Sequence, residues 1–394
     1  MKISGTTLYA LAAVAQSSGA SGAATLAPFY MKAQGFTVGW VGIPLVINGL
    51  GRVGSDLLSG YLATYVNPAT LLIVATSIGL AFSILGILFR EWMPVFLSVW
   101  MVFGLTEAMI ALSLRKIAFD LSPPERQGRI QGQVASALGI GFTLGPALGG
   151  VVGAWWGPGL LFLFYAAHQA VTLGLVFLTG GHRAGKPTTT ERVALLREGR
   201  RLLSLPPFAA ACLAIFQSFL FLTGVTRVAF PFLAVSRGLT LDVVGTMVSL
   251  SRLTDTWGRF SGGWLCDRFG TARVIAGGIL IGIPMFILEL YGTGFGGLLA
   301  PLCFMTMGFG FTNVGSTTLA LQVAGQNTKA IGLALARAST SFGQMFGPLL
   351  AGLLVQELGY SGGFTGMGLF SLVVLIGVIY GLKGAASTGR KDQS

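Results

Sequence analysis

Apolar blocks of about twenty residues recur along the whole chain, separated by short polar turns. That is the length a helix needs to cross the hydrocarbon core of a bilayer. About twelve such blocks are legible, near 6–31, 38–62, 69–89, 94–119, 130–154 and 159–180, then near 208–234, 242–265, 273–290, 297–321, 330–356 and 362–382. Charged residues make up only 10% of the 394 positions, against roughly 25% in ordinary soluble domains, too few to coat a water-exposed surface. Glycine, at 59 positions, suits helices that approach one another closely in lipid through small residues. The first block has the outline of a signal peptide, with Lys2 ahead of an apolar run. Its apolar character continues through Phe29 and has a counterpart later in the chain, so it reads as a span.

The formal charge of +12 raises the question of a nucleic-acid partner, and its distribution answers it. With the N-terminus placed in the cytoplasm, the cytoplasmic turns hold Lys and Arg at 2, 126, 129, 183, 186, 192, 197, 200, 201, 268, 273, 329, 383, 390 and 391, whereas the opposite side holds only Lys32, Arg90 and Arg237. This asymmetry is the positive-inside pattern. It predicts a multi-pass protein of the plasma membrane (a bacterial inner membrane) with both termini cytoplasmic, whose surroundings are lipids rather than nucleic acid. Cys212, Cys266 and Cys303 are too dispersed for a disulfide framework or metal cluster, and no metal or cofactor is expected.

Two halves repeat. Gly60-Tyr61-Leu62 recurs 203 residues on as Gly263-Trp264-Leu265, and Gly141-x-x-x-Gly145-Pro146-x-x-Gly149 recurs 202 residues on as Gly343-x-x-x-Gly347-Pro348-x-x-Ala351. The expected organisation is a six-helix half over 1–181, a cytoplasmic linker over 182–207 carrying a short basic amphipathic helix, and a second six-helix half with a short tail over 208–394. Such duplication places a solute pathway between the halves at mid-membrane. A monomer is expected.

Gly263-Trp264-Leu265-Cys266-Asp267-Arg268-Phe269-Gly270, followed by Thr271-Ala272-Arg273, resembles the loop signature of the major facilitator superfamily. Physically it is a tight turn in which Gly270 supplies backbone freedom and Asp267 is placed to meet a cation or a helix N-terminus. The first-half copy is degraded, with Thr64, Tyr65 and Asn67 in place of the acid, the arginine and the glycine, which predicts unequal gates. Asp120–Arg129, broken by Pro123-Pro124, is similar to the loop between spans four and five of proton-driven exporters. The resemblance implies a gating latch of Asp267 and Arg268 with Arg126 or Arg129. Gly132, Gly141, Gly145-Pro146 and Gly149-Gly150 are spaced as in the fifth span of the twelve-span drug:proton antiporters, where the motif goes with export by exchange. Read from the residues alone, these positions permit close backbone contact and a bend at Pro146. Where those antiporters carry an arginine early in span four, this chain has Trp100.

Charges inside the spans are the best pointers to function, because each costs about 2.5–3.5 kcal/mol at the bilayer centre. Arg52 and Asp56 in span two, and Asp255 and Arg259 in span eight, have the i,i+4 spacing of neutralising pairs; Arg252 lies on span eight too. Glu107, in span four, has no basic residue within one turn, and Arg115 follows two turns on. A carboxyl group held away from water binds a proton readily, which makes Glu107 the first candidate proton carrier, with Asp56 and Asp255 behind it, and a salt bridge to Arg52 or Arg115 the alternative. Arg227 in span seven has no acidic residue within one turn. In the superfamily, spans one, four, seven and ten line the cavity, so the resemblance implies that Arg227, aided by Arg115, Arg52, Asn313 and Thr312, contacts a solute with an anionic group. His168 reads as a packed histidine.

These features predict a secondary active transporter that moves a small organic solute by alternating access, in proton-coupled efflux. Proton-coupled uptake of an organic anion and lipid flipping are the alternatives. An enzyme is not expected: HExxH, Walker and nucleophile–base patterns are missing from the sequence.

Overall fold

The computed structural model describes residues 5–62, 66–120, 127–179 and 195–388. These residues form helices and no strand. In chain order the first six are α1 (Gly5–Ala33), α2 (Ile43–Leu62), α3 (Pro68–Phe89), α4 (Met93–Asp120), α5 (Gln127–Trp156) and α6 (Leu161–Leu178). The linker contributes α7 (Leu195–Leu203), which carries exposed Arg197, Arg200 and Arg201 around a buried Leu202. The seventh span runs through α8 (Pro206–Gly224), a π-helical turn over Val225–Ala229 and α9 (Phe230–Ser236). It begins at Pro206, slightly before the expected edge of the linker, since proline without its N–H is well suited to a first helical turn. Then follow α10 (Leu241–Phe269), α11 (Thr271–Tyr291) and α12 (Gly294–Thr388).

Helical hydrogen bonding persists through α12, yet it cannot be straight. Its segment Ile331–Gly381 has 51 residues, about 76 Å of helix, more than twice a bilayer core of about 30 Å. Gly359, at φ 68°, reverses it, and a methyl on Gly363 would lie 3.1 Å from the Val355 side chain. An earlier reversal brings Gly332 beside Ala324, at 2.7 Å between the position of a glycine Cβ and the alanine Cβ. α12 therefore supplies spans ten, eleven and twelve. Among the described residues, eight segments are long and apolar enough to cross a membrane, with Ile331–Gly381 counted as one. α1, α2 and α10 are long enough but more polar, for reasons that concern the site.

Two compact units emerge. One gathers α1 to α6 together with Leu239–Ser249; the other gathers Thr37–Gly42, α7 to α9 and everything from Leu250. Within the first, α1 packs on α5 with almost no side chain between them: a methyl on Gly149 would sit 2.7 Å from the Gly22 carbonyl oxygen, and one on Gly145 would collide with Ser21 Oγ. Apolar residues of α1, α3, α4, α5 and α6 close over one end (Tyr9, Leu72, Ile110, Leu114, Val134). An aromatic stack of Tyr30, Phe96, Trp100, Phe103, Phe162 and Tyr165 fills another part. Lipid gives little hydrophobic gain for joining helices, so such close backbone contact and dispersion hold them.

Within the second unit the packing repeats with the sequence. A methyl on Gly224 would lie 2.6 Å from the Gly347 carbonyl oxygen, and one on Gly347 would sit 2.6 Å from Thr223 Oγ1. Gly22 and Gly224, Ser21 and Thr223, and Gly145 and Gly347 are each separated by 202 residues. Each unit also ties its first span to its last with a buried amide: Gln16 Nε2 donates to the Tyr165 hydroxyl at 3.4 Å, and Gln217 Nε2 to Ser371 Oγ at 3.0 Å.

Candidate functional site

In the first unit the site grows out of the crossing of α2 and α4. A methyl on Gly104 would lie 2.7 Å from the Asn48 carbonyl carbon, and one on Gly51 would lie 3.0 Å from the Leu105 nitrogen. This close crossing, possible only with glycine, brings Arg52 Nη1 within 3.9 Å of Glu107 Oε2. The two side chains are 24% and 10% exposed. At that distance the pair is an ion pair looser than the 2.7–2.9 Å of a charge-assisted hydrogen bond. Arg52, one of the two partners the sequence offered Glu107, is found here, and it comes from another helix rather than from one turn away. The side chain of Asp56 lies outside the described ones.

Around Glu107 stand polar groups that no motif singled out. The buried Tyr165 hydroxyl has Glu107, Gln169 and Thr106 as neighbours besides Gln16. Gln16 Oε1 and both polar atoms of the Gln169 amide are buried and meet no hydrogen-bond partner among the described residues. Buried polar groups are normally satisfied, so this cluster forms an unusually polar patch in an apolar bundle. A glutamine inside an apolar run was the available signal, and it was too weak beside the charged residues. Arg115 is half-buried on α4.

In the second unit the seventh span is distorted where Arg227 sits. Pro231 has no N–H to offer the Arg227 carbonyl four residues back, and the helix widens so that the Phe230 N–H reaches the Val225 carbonyl instead. Such single π turns recur at functional positions. Thr226, in the same turn, accepts a hydrogen bond from Arg252 Nη2 at 2.9 Å. One turn along α10, Arg259 grips Asp255 with two bonds, Nε to Oδ1 at 3.1 Å and Nη2 to Oδ2 at 2.8 Å, and lies over the Phe219 ring at 5.7 Å. Asn313 is half-buried on α12. Thr312 departs from the expectation that it offers a solute a hydrogen bond: it is fully buried and donates to the Gly308 carbonyl at 2.9 Å.

The signature loop has the expected turn. Gly270 adopts φ 84°, a region that favours glycine, and caps α11. Arg268 lies over the rings of Trp264 at 5.3 Å and Phe269 at 5.5 Å, and Asp267 is exposed. Arg126 and the side chain of Arg129 fall outside the described residues, so the expected latch has no geometry here. Gly145 belongs to the contact of α5 with α1, Pro146 lies against Gly245 of α10, and the Ala147 N–H donates to Ser249 Oγ at 2.9 Å. Trp100, where antiporters have arginine, is buried in the aromatic stack. His168 is packed: its Nδ1 lies 2.8 Å from the Phe164 carbonyl, and its ring lies on Phe164.

An all-helical chain of about twelve spans in two repeated six-helix sets, with charge pairs inside the bundle, defines a polytopic transport protein. Comparison with known proteins names the family: the profile of the Major Facilitator Superfamily matches residues 9–333 and 211–393. The chain belongs to that superfamily and is a transporter, not an enzyme. It is similar to an uncharacterized MFS-type transporter of Methanocaldococcus jannaschii, 24% identical over 287 residues, 71% of this chain and 72% of that one. It is also similar to the multi-drug resistance efflux pump PmrA homolog of Lactococcus lactis, 24% identical over 372 residues, 85% of this chain and 88% of the relative. Among solved structures it resembles a POT family transporter in complex with 5-aminolevulinic acid, with a TM-score of 0.79, 13% identity, and 96% of each chain covered.

Proposed function

We propose that the protein is a proton-coupled secondary transporter that exports a small organic solute by alternating access, with Glu107 as the coupling carboxylate. The observation that carries this reading is the loose 3.9 Å pairing of the largely buried Glu107 with Arg52 across α2 and α4. Protonation of Glu107 removes its charge and frees the Arg52 guanidinium for other acceptors; loss of the proton restores the pair. The buried hydroxyl of Tyr165 and the amides of Gln16 and Gln169 are neutral dipoles that stabilise either state. The name of the Lactococcus lactis relative supports the outward direction. Asp255 is held by Arg259 through two bonds, which makes it a weaker candidate for coupling.

The arginines speak to the solute. Arg227 sits in a widened turn, and Arg115 and Arg52 lie within spans. A guanidinium binds carboxylate or phosphate with two parallel bonds, so the solute class we favour carries an anionic group. Uptake of such an anion is the second reading, favoured by this concentration of arginine. The test is solute-induced proton movement in proteoliposomes, using a panel of carboxylates, cationic drugs and phospholipid analogues, with wild type and Glu107→Gln. Proton flux with one class, abolished in Glu107→Gln, is expected; flux that survives the substitution would remove Glu107 from coupling.

A further inference from the structure

Glu289 is absent from the reading above, and it is the most completely buried acid among the described residues, with no solvent exposure at all. It stands two residues before the C-terminal end of α11, the end opposite the Gly270 turn. Neither carboxyl oxygen meets a hydrogen-bond donor among the described residues. Two other features weigh against its charged form there. A helix C-terminus carries a partial negative charge that repels a carboxylate, and a buried ion without hydrogen bonds loses far more solvation than a neutral acid.

Among the described residues, the cation placed to compensate is occupied elsewhere. Arg237, exposed just beyond α9, directs Nη1 to the Glu289 carbonyl at 3.2 Å and Nη2 to the Leu290 carbonyl at 2.5 Å, and Nη1 also bonds the Gly292 carbonyl. It thus caps the last carbonyls of α11 while standing beside the carboxyl group. The titratable neighbour from α12 is the thiol of Cys303, whose backbone carbonyl accepts from Thr254 Oγ1 at 3.0 Å.

We infer that Glu289 is a proton-binding site, and that Arg237 is the switch that opens it. In the described state Glu289 is a neutral carboxylic acid and Arg237 binds the end of α11. In the alternative state the O–H bond breaks, the proton passes to water beside exposed Arg237, and the carboxylate takes over guanidinium N–H bonds from the backbone carbonyls. Charge moves only as that one proton, and the hydrogen bonds exchange one set of oxygens for another. The consequence is a proton-dependent clasp between the end of the seventh span and the end of the ninth. Nothing in it requires Glu107 to be the coupling residue.

Infrared spectroscopy of the full-length protein in lipid nanodiscs, followed through the carboxylic-acid C=O band as pH is raised, tests the inference without any transported solute. Wild type is expected to show a protonated carboxyl band at neutral pH that disappears in Glu289→Gln and persists in Glu107→Gln. In Arg237→Gln the band is expected to persist to more alkaline pH than in wild type, because the waiting guanidinium is gone. Glu289→Asp, which keeps a carboxyl group, guards against loss of folding: its band is expected to be present but to titrate at a different pH. A neutral-pH band that survives in Glu289→Gln, or a titration in Arg237→Gln identical to wild type, would overturn the proposal.

Discussion

Several charges of this chain lie inside spans, where lipid should exclude them. Arg52 and Glu107 were legible because each interrupts an apolar run, and their pairing was one of two the sequence offered, with nothing in it to choose Arg52 over Arg115. Spacing along a sequence reports neighbours one helical turn away, and the glycine contact that joins α2 to α4 is a tertiary fact. Removing one member of a largely buried pair takes away the other's counter-charge, at a cost of up to about 3 kcal/mol. Arg52→Met is therefore expected to lower the thermal stability of the purified protein, and Arg52→Met with Glu107→Gln is expected to recover much of it. At Arg227 the expectation concerns geometry. Arg227→Lys keeps the charge but loses the planar fork, and one lost charge-assisted bond is worth about 1.5–3 kcal/mol. Uptake of radiolabelled anionic solute into inverted vesicles should fall at least about tenfold at limiting concentration. Glu289 escaped the sequence reading because an acid near the end of a span reads as an interfacial residue; its burial depends on how α11 packs against its neighbours.

At the scale of elements, glycine decides where helices meet. The pattern around Gly145-Pro146 and its copy around Gly347-Pro348 was legible as a motif, and both copies make the same contact, each against the first helix of its own repeat. The pattern is thus a packing device in both halves, and by itself is no mark of export. Gly145→Leu is expected to destabilise the folded protein by about 1–3 kcal/mol through overpacking, read as a lower unfolding temperature in detergent. Gly139→Ala, on the same helix with open space at its Cβ, is the control and should change little. Gly270→Ala forces a side chain into φ 84°, costing about 1–2 kcal/mol and loosening the turn into α11. The π turn at Arg227 was not legible, although Pro231 in an apolar run gave a hint. A proline signals a missing bond without saying whether the helix will kink, end or widen.

For the whole molecule, twelve spans and a duplicated half were written plainly in hydropathy and in the spacing of 202 to 203 residues. A membrane leaves a chain few ways to satisfy its backbone, which is why fold was read more easily than site. Solute identity has no such constraint behind it, because it rests on a few side chains from distant spans. Under the proposed function, the proton gradient drives the solute and Glu107 carries the coupling proton. The most direct measurement is accumulation of the solute in proteoliposomes under an imposed pH gradient, with wild type compared to Glu107→Gln. Accumulation above equilibrium is expected in wild type, with collapse on adding a protonophore, and none is expected in Glu107→Gln, which should still exchange labelled for unlabelled solute. Accumulation in Glu107→Gln equal to wild type, or accumulation in wild type indifferent to the gradient, would contradict it.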